Sequence, residues 1–579
     1  MKARATRYLL FALGLLFLAA PLELTRGEEK SPPGTYLQKL CTFHSPEAFR
    51  ERTRSAEIKL HREARCLASG GEVLEGSSRG IVLSRGGGAP PEPYPPDVLL
   101  PSSEVTVIAE EAPGRIWIGT TRGAALLDRR SGRSSIQYFA SRRWLLDDRV
   151  TGIGFEAPRP GAVWIETPGG YSRIEWRPMR LADKAPLFEG RVRARHVRHG
   201  LTADSHLRVP GDLGSNETIS TDNDGLWTAM YVAAECFRFK VTGEPEARDF
   251  ARQGLEALMR LESITGIKGF PARSFIKVGA EREPGDGEWH PTADGLWKWK
   301  GDTSSDELVG HYFAYAVYYH LLADEKEKRE IREVVGRITS HLLDHGYHLV
   351  DVDGKTTRWG WYAPEEIWAD PDETGLRALH MLSHLRVANH ITGIPRYEEA
   401  YRELALRQRY ALLTLHQKIN IPGSVNHSDD ELAFLSYYPL LLFEKEGELR
   451  RIYEAGLERS WRVERPERNP LWNFIYAAGT RRKDCDLEES LETLRRIPMD
   501  LISWTVTNSH RLDVVTDREA DRHGRGQSLV VLPPDERRVM KWNGNPYELD
   551  GGSGGAEEDD GAFFLLPYWM GRYHGLTGE

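Results

Sequence analysis

The chain has 579 residues, a formal net charge of −9 and a mean hydropathy of −0.50, values typical of a soluble protein that can bury a large core or several domains. Charged residues make up 28% of it, but no long basic run occurs, so we expect no nucleic-acid partner. The unusual feature is the content of 16 Trp, because indole rings pack against sugars as well as filling cores.

The first 27 residues have the pattern of an export signal. Basic residues precede the apolar run YLLFALGLLFLAA, and Pro21 follows it. The run is shorter than the roughly 20 residues that span a bilayer, so we expect an export signal or an uncleaved N-terminal anchor, and no other stable membrane domain. The protein is therefore predicted to be secreted, periplasmic or on the cell surface, where Cys41 and Cys66 could form a disulfide.

The next part of the chain changes character near residue 100. Residues 28–100 are predicted to be irregular, with one helix over about 46–67 and a Gly/Pro-rich linker at 86–96. Over 101–200 the apolar pattern has a period of two, as in EVTVIAEE and GRIWIGTT. This alternation predicts a small antiparallel β domain.

The β region contains a repeated unit. The segment RIWIGTTRG at 115–123 matches AVWIETPGG at 162–170, and each copy is followed by a further predicted strand. Over roughly 104–178 this unit resembles the blade repeat of two-component-regulator propellers. Two copies cannot close a propeller, which needs at least about four blades. We therefore expect a small β domain that packs against the next domain of the chain.

From residue 201 the apolar period becomes helical and a longer repeat appears. Each copy has a helix that is apolar on most faces, a short turn and an amphipathic helix. The copies cover 224–261, 305–343, 374–413, 428–461 and 469–497, and a last apolar helix covers about 557–575. Because a helix that is apolar all round must be covered on every side, the pattern predicts an (α/α) toroid of five to six hairpins over 201–579. Its twelfth helix is either missing or supplied by the N-terminal stretch.

The predicted inner helices share acidic or amide-rich starts. The segments SSDE and SDDE at two of these starts fit the Ser-x-x-Glu capping box, so their Glu residues are expected to serve the caps. Asp306 and Asp430 then occupy the same helical position without a structural partner. Taken alone, each carboxylate stabilises its helix start by roughly 0.3–1 kcal/mol. Several of them in one cavity repel each other unless a substrate or a cation relieves the repulsion.

In its hairpin repeat and its acidic inner-helix starts, the region of about 215–578 resembles the six-hairpin glycosidase superfamily. The resemblance is architectural and matches the signature of no single family, so it transfers no catalytic residue. It implies a carbohydrate substrate, an oligo- or polysaccharide, and either hydrolysis or β-elimination.

Two loops between hairpins combine Trp with carboxylates, as sugar-binding sites do. They are GDGEWHPTADGLWKWKGD at 285–302 and RWGWYAPEEIWADPDE at 358–373. The alternative is that these loops pack on their own aromatic residues. The expected binding residues are Trp297, Trp299, Trp359 and Trp361. A third stretch, 498–555, lacks periodicity and leads into the last inner helix, so we expect it near the mouth of the ring, with Trp542, Asn543 and Asn545 as weaker candidates.

Glycoside hydrolysis needs one protonated and one ionised carboxyl group at the scissile bond. A helix N-terminus stabilises the ionised form, whereas the acid needs a raised pKa. The predicted catalytic residues are Asp306 and Asp430 as base or nucleophile, Asp302, Glu365 and Glu366 as acid, and Asp222 as the next choice.

Two alternatives remain open. A polysaccharide lyase would neutralise a uronate carboxylate and remove a ring proton with Tyr or His. Candidate residues for such a site are His311, Tyr312, Arg358, Asn426, His427, Arg468 and Asn469. Trp472 is a further expected substrate-binding residue. Crowded acidic groups would repel a polyanion, which favours the hydrolase, although a Ca²⁺ ion held by Asp302, Asp429 or Asp430 would relieve that repulsion; no other metal or cofactor is expected. The second alternative is a non-catalytic glycan-binding or sensor protein.

Overall fold

The computed structural model describes residues 33–53, 58–85, 90–95, 97–131, 134–156, 161–418, 425–538 and 541–578. The predicted export signal or anchor at 1–27 lies outside these residues. None of the helices in the described ranges combines the length and the apolar character that crossing a membrane requires.

The N-terminal part of the described chain forms antiparallel sheets of four strands each. The strands are β1 (Tyr36–His44), β2 (Arg65–Leu67), β3 (Val73–Ser77), β4 (Gly80–Ser84), β5 (Glu92–Tyr94), β6 (Val105–Ala112), β7 (Arg115–Thr120), β8 (Gly123–Asp128), β9 (Ser135–Phe139), β10 (Gly152–Phe155), β11 (Ala162–Thr167) and β12 (Gly170–Met179). The sheet orders are β2-β3-β4-β5, β6-β7-β8-β9 and β10-β11-β12-β1. The small antiparallel β domain predicted ahead of the helices is confirmed.

The segment predicted to be irregular contributes the first five of these strands. In place of the long helix expected over 46–67, the structure has α1 (Pro46–Thr53) and then the strand β2. The prediction was wrong because β2 to β5 have only three to five residues each, too few to show a clear period of two.

The repeated unit occupies equivalent places in two consecutive sheets. Trp117 lies on β7 and Trp164 on β11, each in the second strand of its sheet, and both rings are fully buried. The Trp117 indole N–H donates to Glu111 at 2.9 Å, and that of Trp164 donates to Glu156 at 2.8 Å. The sequence repeat therefore encodes one buried indole with one carboxylate partner per sheet.

The predicted disulfide does not form, and both cysteines are free thiols. Cys41 lies on β1 and donates to the carbonyl of Trp144 at 3.3 Å, whereas Cys66 lies on β2 in a different sheet. Spacing along the chain does not show that the two thiols belong to different sheets, which is why the pairing was wrong. Cys236 is buried within a helix, as expected for a structural thiol.

The rest of the chain is mainly helical. The helices are α2 (Leu181–Arg195), α3 (Asp224–Thr242), α4 (Pro245–Ser263), α5 (Ser305–Leu321), α6 (Glu325–Asp344), α7 (Thr374–Thr392), α8 (Pro395–Arg402), α9 (Tyr410–Leu413), α10 (His427–Phe443), α11 (Glu448–Glu464), α12 (Pro470–Thr480), α13 (Leu487–Arg496) and α14 (Ala562–Tyr573). Helices α3, α5, α7, α10, α12 and α14 contact one another in that order, and α14 returns to α3. They close an inner ring, which confirms the predicted toroid.

Each inner helix of the described ring has an outer partner. Helices α4, α6, α8, α11 and α13 cover the neighbouring inner helices, and α2 packs on α14. Helix α2, which directly follows the last strand of the β domain, is therefore the twelfth helix that the hairpin repeat did not supply. The hairpins number six.

Buried polar contacts fix the β domain to the ring. Lys184 on α2 donates to the side-chain oxygen of Gln38 on β1 at 3.0 Å, and to the carbonyls of Leu494 and Arg495 on α13 at 3.0 Å. A cation there stabilises the free carbonyls at the end of α13. Burial lowers the pKa of Lys184 well below its usual value, and the charge of Asp535 opposes this shift.

The loops that lead into the inner helices carry short strands. Two-stranded sheets form between Val197–Arg198 and Leu201–Thr202, between His348–Val350 and Thr356–Trp361, and between Val506–Thr507 and Asp550–Gly551. Two sheets have three strands. In one, Asp204–Leu207 lies between Asn216–Ile219 and Glu557–Glu558; in the other, Trp297–Lys300 lies between Ser274–Lys277 and Trp289–Pro291. Together they build a wall around the end of the ring where the inner helices begin, which we call the mouth.

Candidate functional site

The first turns of α5 and α10 do not use the predicted capping boxes. The N-cap residues are Ser304 and Asn426, and neither side chain accepts a cap hydrogen bond. Glu307 and Glu431 are buried and turn into the protein rather than back to the cap. Neither carboxylate oxygen of Glu431 has a hydrogen-bond partner among the described residues. The box prediction was wrong because it considers the local chain only, not the ring interior that these side chains enter.

Asp430 is held in a buried ion pair. The ammonium nitrogen of Lys418 lies 2.7 and 2.6 Å from its two carboxylate oxygens, and 2.8 Å from an oxygen of Glu464. All three side chains are nearly fully buried. Asp430 was predicted to be a free base or nucleophile, but in the structure both of its oxygens are engaged.

Three other carboxyl groups meet at the mouth. Asp306 lies in the first turn of α5, Glu373 directly before α7 and Asp429 in the first turn of α10. We call these three residues the acidic bowl. Glu373 and Asp429 line one cavity of about 390 Å³, together with Asp370 and Asp372. Asp306 does not line this cavity, but its charge acts on both Glu373 and Asp429.

The groups of the acidic bowl raise each other's pKa values. Burial and the negative charges of Glu373, Asp430 and Asp306 raise the pKa of Asp429 to about 7. Burial also raises the pKa of Asp306, although the backbone N–H at its helix start and the guanidinium of Arg273 oppose the shift. Like charges in one site cannot all ionise together. Repulsion within the bowl therefore favours the protonated form of Asp429.

Glu373 is the third member of the bowl. Burial raises its pKa against the attraction of Arg377, whose guanidinium lies 2.6 Å from the carboxylate. Because this ion pair holds Glu373 in place, its negative charge acts on the Asp429 carboxyl group from a fixed position.

The carboxyl group of Glu431 interacts electrostatically with Asp306 of the bowl and with Asp560 near the start of α14. Burial raises its pKa to about 8, and the charges of Asp306 and Asp560 act in the same direction, while Lys541 opposes them. Asp560 lies two residues before the first residue of α14. The helix starts of α5, α7, α10 and α14 thus share one electrostatic environment.

The long stretch between α13 and α14 covers one side of the mouth. A cavity of about 310 Å³ is lined by Asn426 and His427 from the start of α10 and by Arg522, Asn543 and Asn545 from this stretch. Trp542 turns away from the cavity, is buried and donates to the carbonyl of Phe563 at 2.7 Å.

Two predicted carboxylates lie at the rim of the bowl. The backbone carbonyls of Asp222 and Asp302 accept from Arg273 at 2.7 and 3.1 Å. The Asp222 carboxylate pairs with the ammonium of Lys300, and although burial would raise its pKa, Lys300 and Arg273 lower it overall. The Asp302 carboxylate accepts from the backbone N–H of Arg358 at 2.9 Å. Both carboxylates are held by positive or N–H partners, and the lowered pKa makes Asp222 a poor acid.

The loop carboxylates predicted as acids are exposed. Glu366 lies 2.8 Å from His348, and Glu365 is exposed beside it. A carboxyl group in water lacks the apolar wall that an acid of raised pKa requires. The prediction of Glu365 and Glu366 as the catalytic acid is therefore not supported by their surroundings.

The Trp residues of the two loops mostly pack within the protein. Arg260 lies 4.0 Å from the ring centre of Trp297, and Arg377 lies 3.5 Å from that of Trp361, while Trp299 is buried. Only Trp359, with 38% of its surface exposed, offers a sizeable face among the four. The alternative of loops packed on their own aromatic residues holds for the other three.

The remaining predicted residues divide between core and mouth. His311 is buried and bonded to the carbonyl of Glu307 at 2.7 Å, so it is a core residue. Asn469 caps α12, accepting from the Leu471 N–H at 3.0 Å, and Trp472 is buried in the same helix. Arg468 lines a separate cavity beside α13. Asn426 and His427 are the two that line the mouth.

No family's sequence profile matches the chain, and a search of curated proteins finds no significant match. The chain weakly resembles a number of solved structures, including the following three. A cellobiose 2-epimerase from Spirochaeta thermophila is 13% identical, with TM-score 0.36, over 68% of this chain and 96% of that one. An endoglucanase from Alicyclobacillus acidocaldarius is 11% identical, with TM-score 0.34, over 80% and 97%. An unsaturated glucuronyl hydrolase from Streptococcus agalactiae is 9% identical, with TM-score 0.26, over 69% and 92%. Likenesses at these TM-scores do not assign a function.

Proposed function

We propose that the protein is a glycoside hydrolase that acts on an exported or extracellular oligo- or polysaccharide, with Asp429 as the general acid. The observation that carries the proposal is the raised pKa of Asp429, about 7, in a carboxyl group that lines an open cavity. A general acid must be protonated at the working pH and must reach the leaving-group oxygen. The raised pKa of Asp429 and its place in the cavity lining support this role.

Asp306 is the proposed partner carboxylate. It lies in the first turn of α5, where its own backbone N–H and the guanidinium of Arg273 favour the ionised form. The pKa of Asp429 is raised by burial and further by three carboxylates. Asp306 should therefore ionise first and keep Asp429 protonated.

In the proposed reaction, the Asp429 proton moves to the glycosidic oxygen as the bond to the anomeric carbon breaks. The Asp306 carboxylate either takes a proton from the attacking water or attacks the anomeric carbon itself, after which water releases the sugar. In both cases one water is consumed and one new reducing end forms. The exposed face of Trp359 and the amides Asn426, Asn543 and Asn545 would bind the sugar hydroxyls and C–H faces at the mouth.

Hydrolysis is favoured over β-elimination because two candidate bases of a lyase, His311 and Tyr312, are buried in α5. The acidic bowl would also repel a uronate chain.

A panel of neutral and uronate glycans tests the proposal. We expect new reducing ends without the ultraviolet absorbance of an unsaturated sugar. An unsaturated product would identify a lyase instead. Glycan binding in calorimetry without any product would identify a non-catalytic binding protein and contradict the proposal, as would the absence of both binding and product.

A further inference from the structure

A second cluster of side chains lies beside the Lys418–Asp430 ion pair, at the junction of α10 with the turn between α11 and α12. His427 is the first residue of α10, Glu464 is the last residue of α11, and Glu467 lies in the following turn. One ligand atom from each lies within 4.8 Å of the others. Two atoms on one cation lie within about 4.4 Å, because each bond is about 2.0–2.2 Å long. A small side-chain movement would thus bring all three onto one ion.

The side chain of Glu467 is oriented toward this cluster and incompletely bonded. Its Oε2 accepts from the indole N–H of Trp472 at 3.3 Å, which fixes the carboxylate plane. Its Oε1 is buried, lies 3.0 Å from Nδ1 of His427, and neither of these two atoms has a hydrogen-bond partner in the described residues. Glu467 is only 6% exposed. Two buried polar atoms in contact without a hydrogen bond are rare in folded proteins, and an ion bound by both would account for them.

Buried carboxyl groups crowd this cluster. Asp430, Glu464 and Glu467 lie near the ammonium of Lys418, which contacts the first two. The carboxyl groups repel one another, and burial strengthens the repulsion. A divalent cation would relieve this repulsion, and a neutral imidazole such as that of His427 can bind the same ion.

A polar cavity gives access to the cluster. Its volume is about 320 Å³, and His427, Glu464 and Glu467 line it together with Asp521 and Tyr547. It has room for the water molecules that complete the coordination of an ion. One imidazole nitrogen and two carboxylate oxygens suit Zn²⁺ or Mn²⁺, whereas Ca²⁺ takes six to eight oxygen ligands.

We infer that His427, Glu464 and Glu467 bind one divalent transition-metal ion, which fixes the start of α10 to the α11–α12 turn. The inference does not depend on glycoside hydrolysis, because the ion is held next to the acidic bowl and not within it.

Zn²⁺ is the probe that tests the site. The full chain is stripped with EDTA and dialysed, and Zn²⁺ binding is measured by calorimetry together with the thermal unfolding temperature. We expect one equivalent to bind and to raise Tm. Glu467→Gln keeps an acceptor for Trp472 but removes the charge, so we expect its Zn²⁺ affinity to fall at least about tenfold and its Tm shift to disappear.

His348→Gln is the matched control, because it removes an exposed His–carboxylate pair of 2.8 Å that lacks a third ligand. It should retain the full stoichiometry and affinity. Should Glu467→Gln fail to fold by circular dichroism, His427→Gln replaces it with the same expected loss. Zn²⁺ binding that persists unchanged in the cluster variant, or that falls equally in His348→Gln, overturns the inference. So does tighter binding of Ca²⁺ than of Zn²⁺.

Discussion

The ammonium nitrogen of Lys418 lies 2.6 and 2.7 Å from the two carboxylate oxygens of Asp430, and both side chains are about 3% exposed. Asp430 and Asp429 line the same cavity, but Asp430 is paired with a cation, whereas Asp429, one residue earlier, is affected mainly by burial and by other carboxylates. This difference is why we propose Asp429, and not Asp430, as the acid.

Lys418→Met should therefore reduce stability strongly. It removes the only ammonium that contacts Asp430 and Glu464 in the described structure, leaving buried carboxylates without a counter-charge. Breaking a buried pair in this way costs about 3–5 kcal/mol. Urea unfolding measures the loss. Lys328→Met, which breaks the partly exposed 2.9 Å pair with Glu325, is the control and should change stability by under about 0.5 kcal/mol. Equal small effects in both variants would show that the buried pair has no structural role.

The inner helices α3 and α5 approach closely at a glycine. A Cβ atom on Gly310 of α5 would lie 2.7 Å from the Cα of Leu226 on α3, so Gly310→Ala must push the two backbones apart. Overpacking of this kind costs about 1–3 kcal/mol. In Gly336 of the outer helix α6 the nearest atom is 3.8 Å away. Gly336→Ala should instead stabilise the protein by about 0.4–1 kcal/mol. Thermal unfolding of both variants checks the opposite signs, and a loss in both would contradict the ring packing.

The hairpin repeat predicts the inner ring because α3, α5, α7, α10 and α12 are apolar on nearly all faces. The twelfth helix could not be predicted in the same way. Helix α2 follows a strand, contains Pro186 and buries charged residues such as Lys184 and Glu189, so its sequence lacks the amphipathic pattern of an outer helix. Only its packing on α14 shows where it belongs.

The candidate site was predictable as a region and not residue by residue. Acidic helix starts point to the mouth, and Asp306 lies there as expected. Asp430 is paired rather than free, because its partner is Lys418, which lies in a stretch without a recognisable motif. Glu373 was missed since the Asp370–Pro371 pair in its segment, DPDETG, favours an N-cap at Asp370, whereas the N-cap of α7 is Glu373.

The pH dependence of kcat/KM should reveal the acid. Asp429 must be protonated to act, and its raised pKa means that activity is present at lower pH and is lost as pH rises through about 7. Glu373→Gln removes a negative charge that raises this pKa, so the alkaline limb should move to lower pH. Only the position of the limb is compared, which makes the result independent of any change in substrate affinity. An alkaline limb at the same pH in Glu373→Gln as in the wild type would show that Glu373 does not affect the pKa of the acid.

In the proposed mechanism, Asp429 acts as the general acid and Asp306 as its partner carboxylate. The most direct test is the turnover of Asp429→Asn and Asp306→Asn on the glycan that the wild-type chain cleaves. Glu448→Gln, an exposed acid in the first turn of the outer helix α11, is the matched control. We expect losses of about 10²–10⁴-fold in both bowl variants and none in the control. A substrate with an activated leaving group should restore Asp429→Asn but not Asp306→Asn. Full turnover in Asp429→Asn on the natural glycan would contradict the assignment.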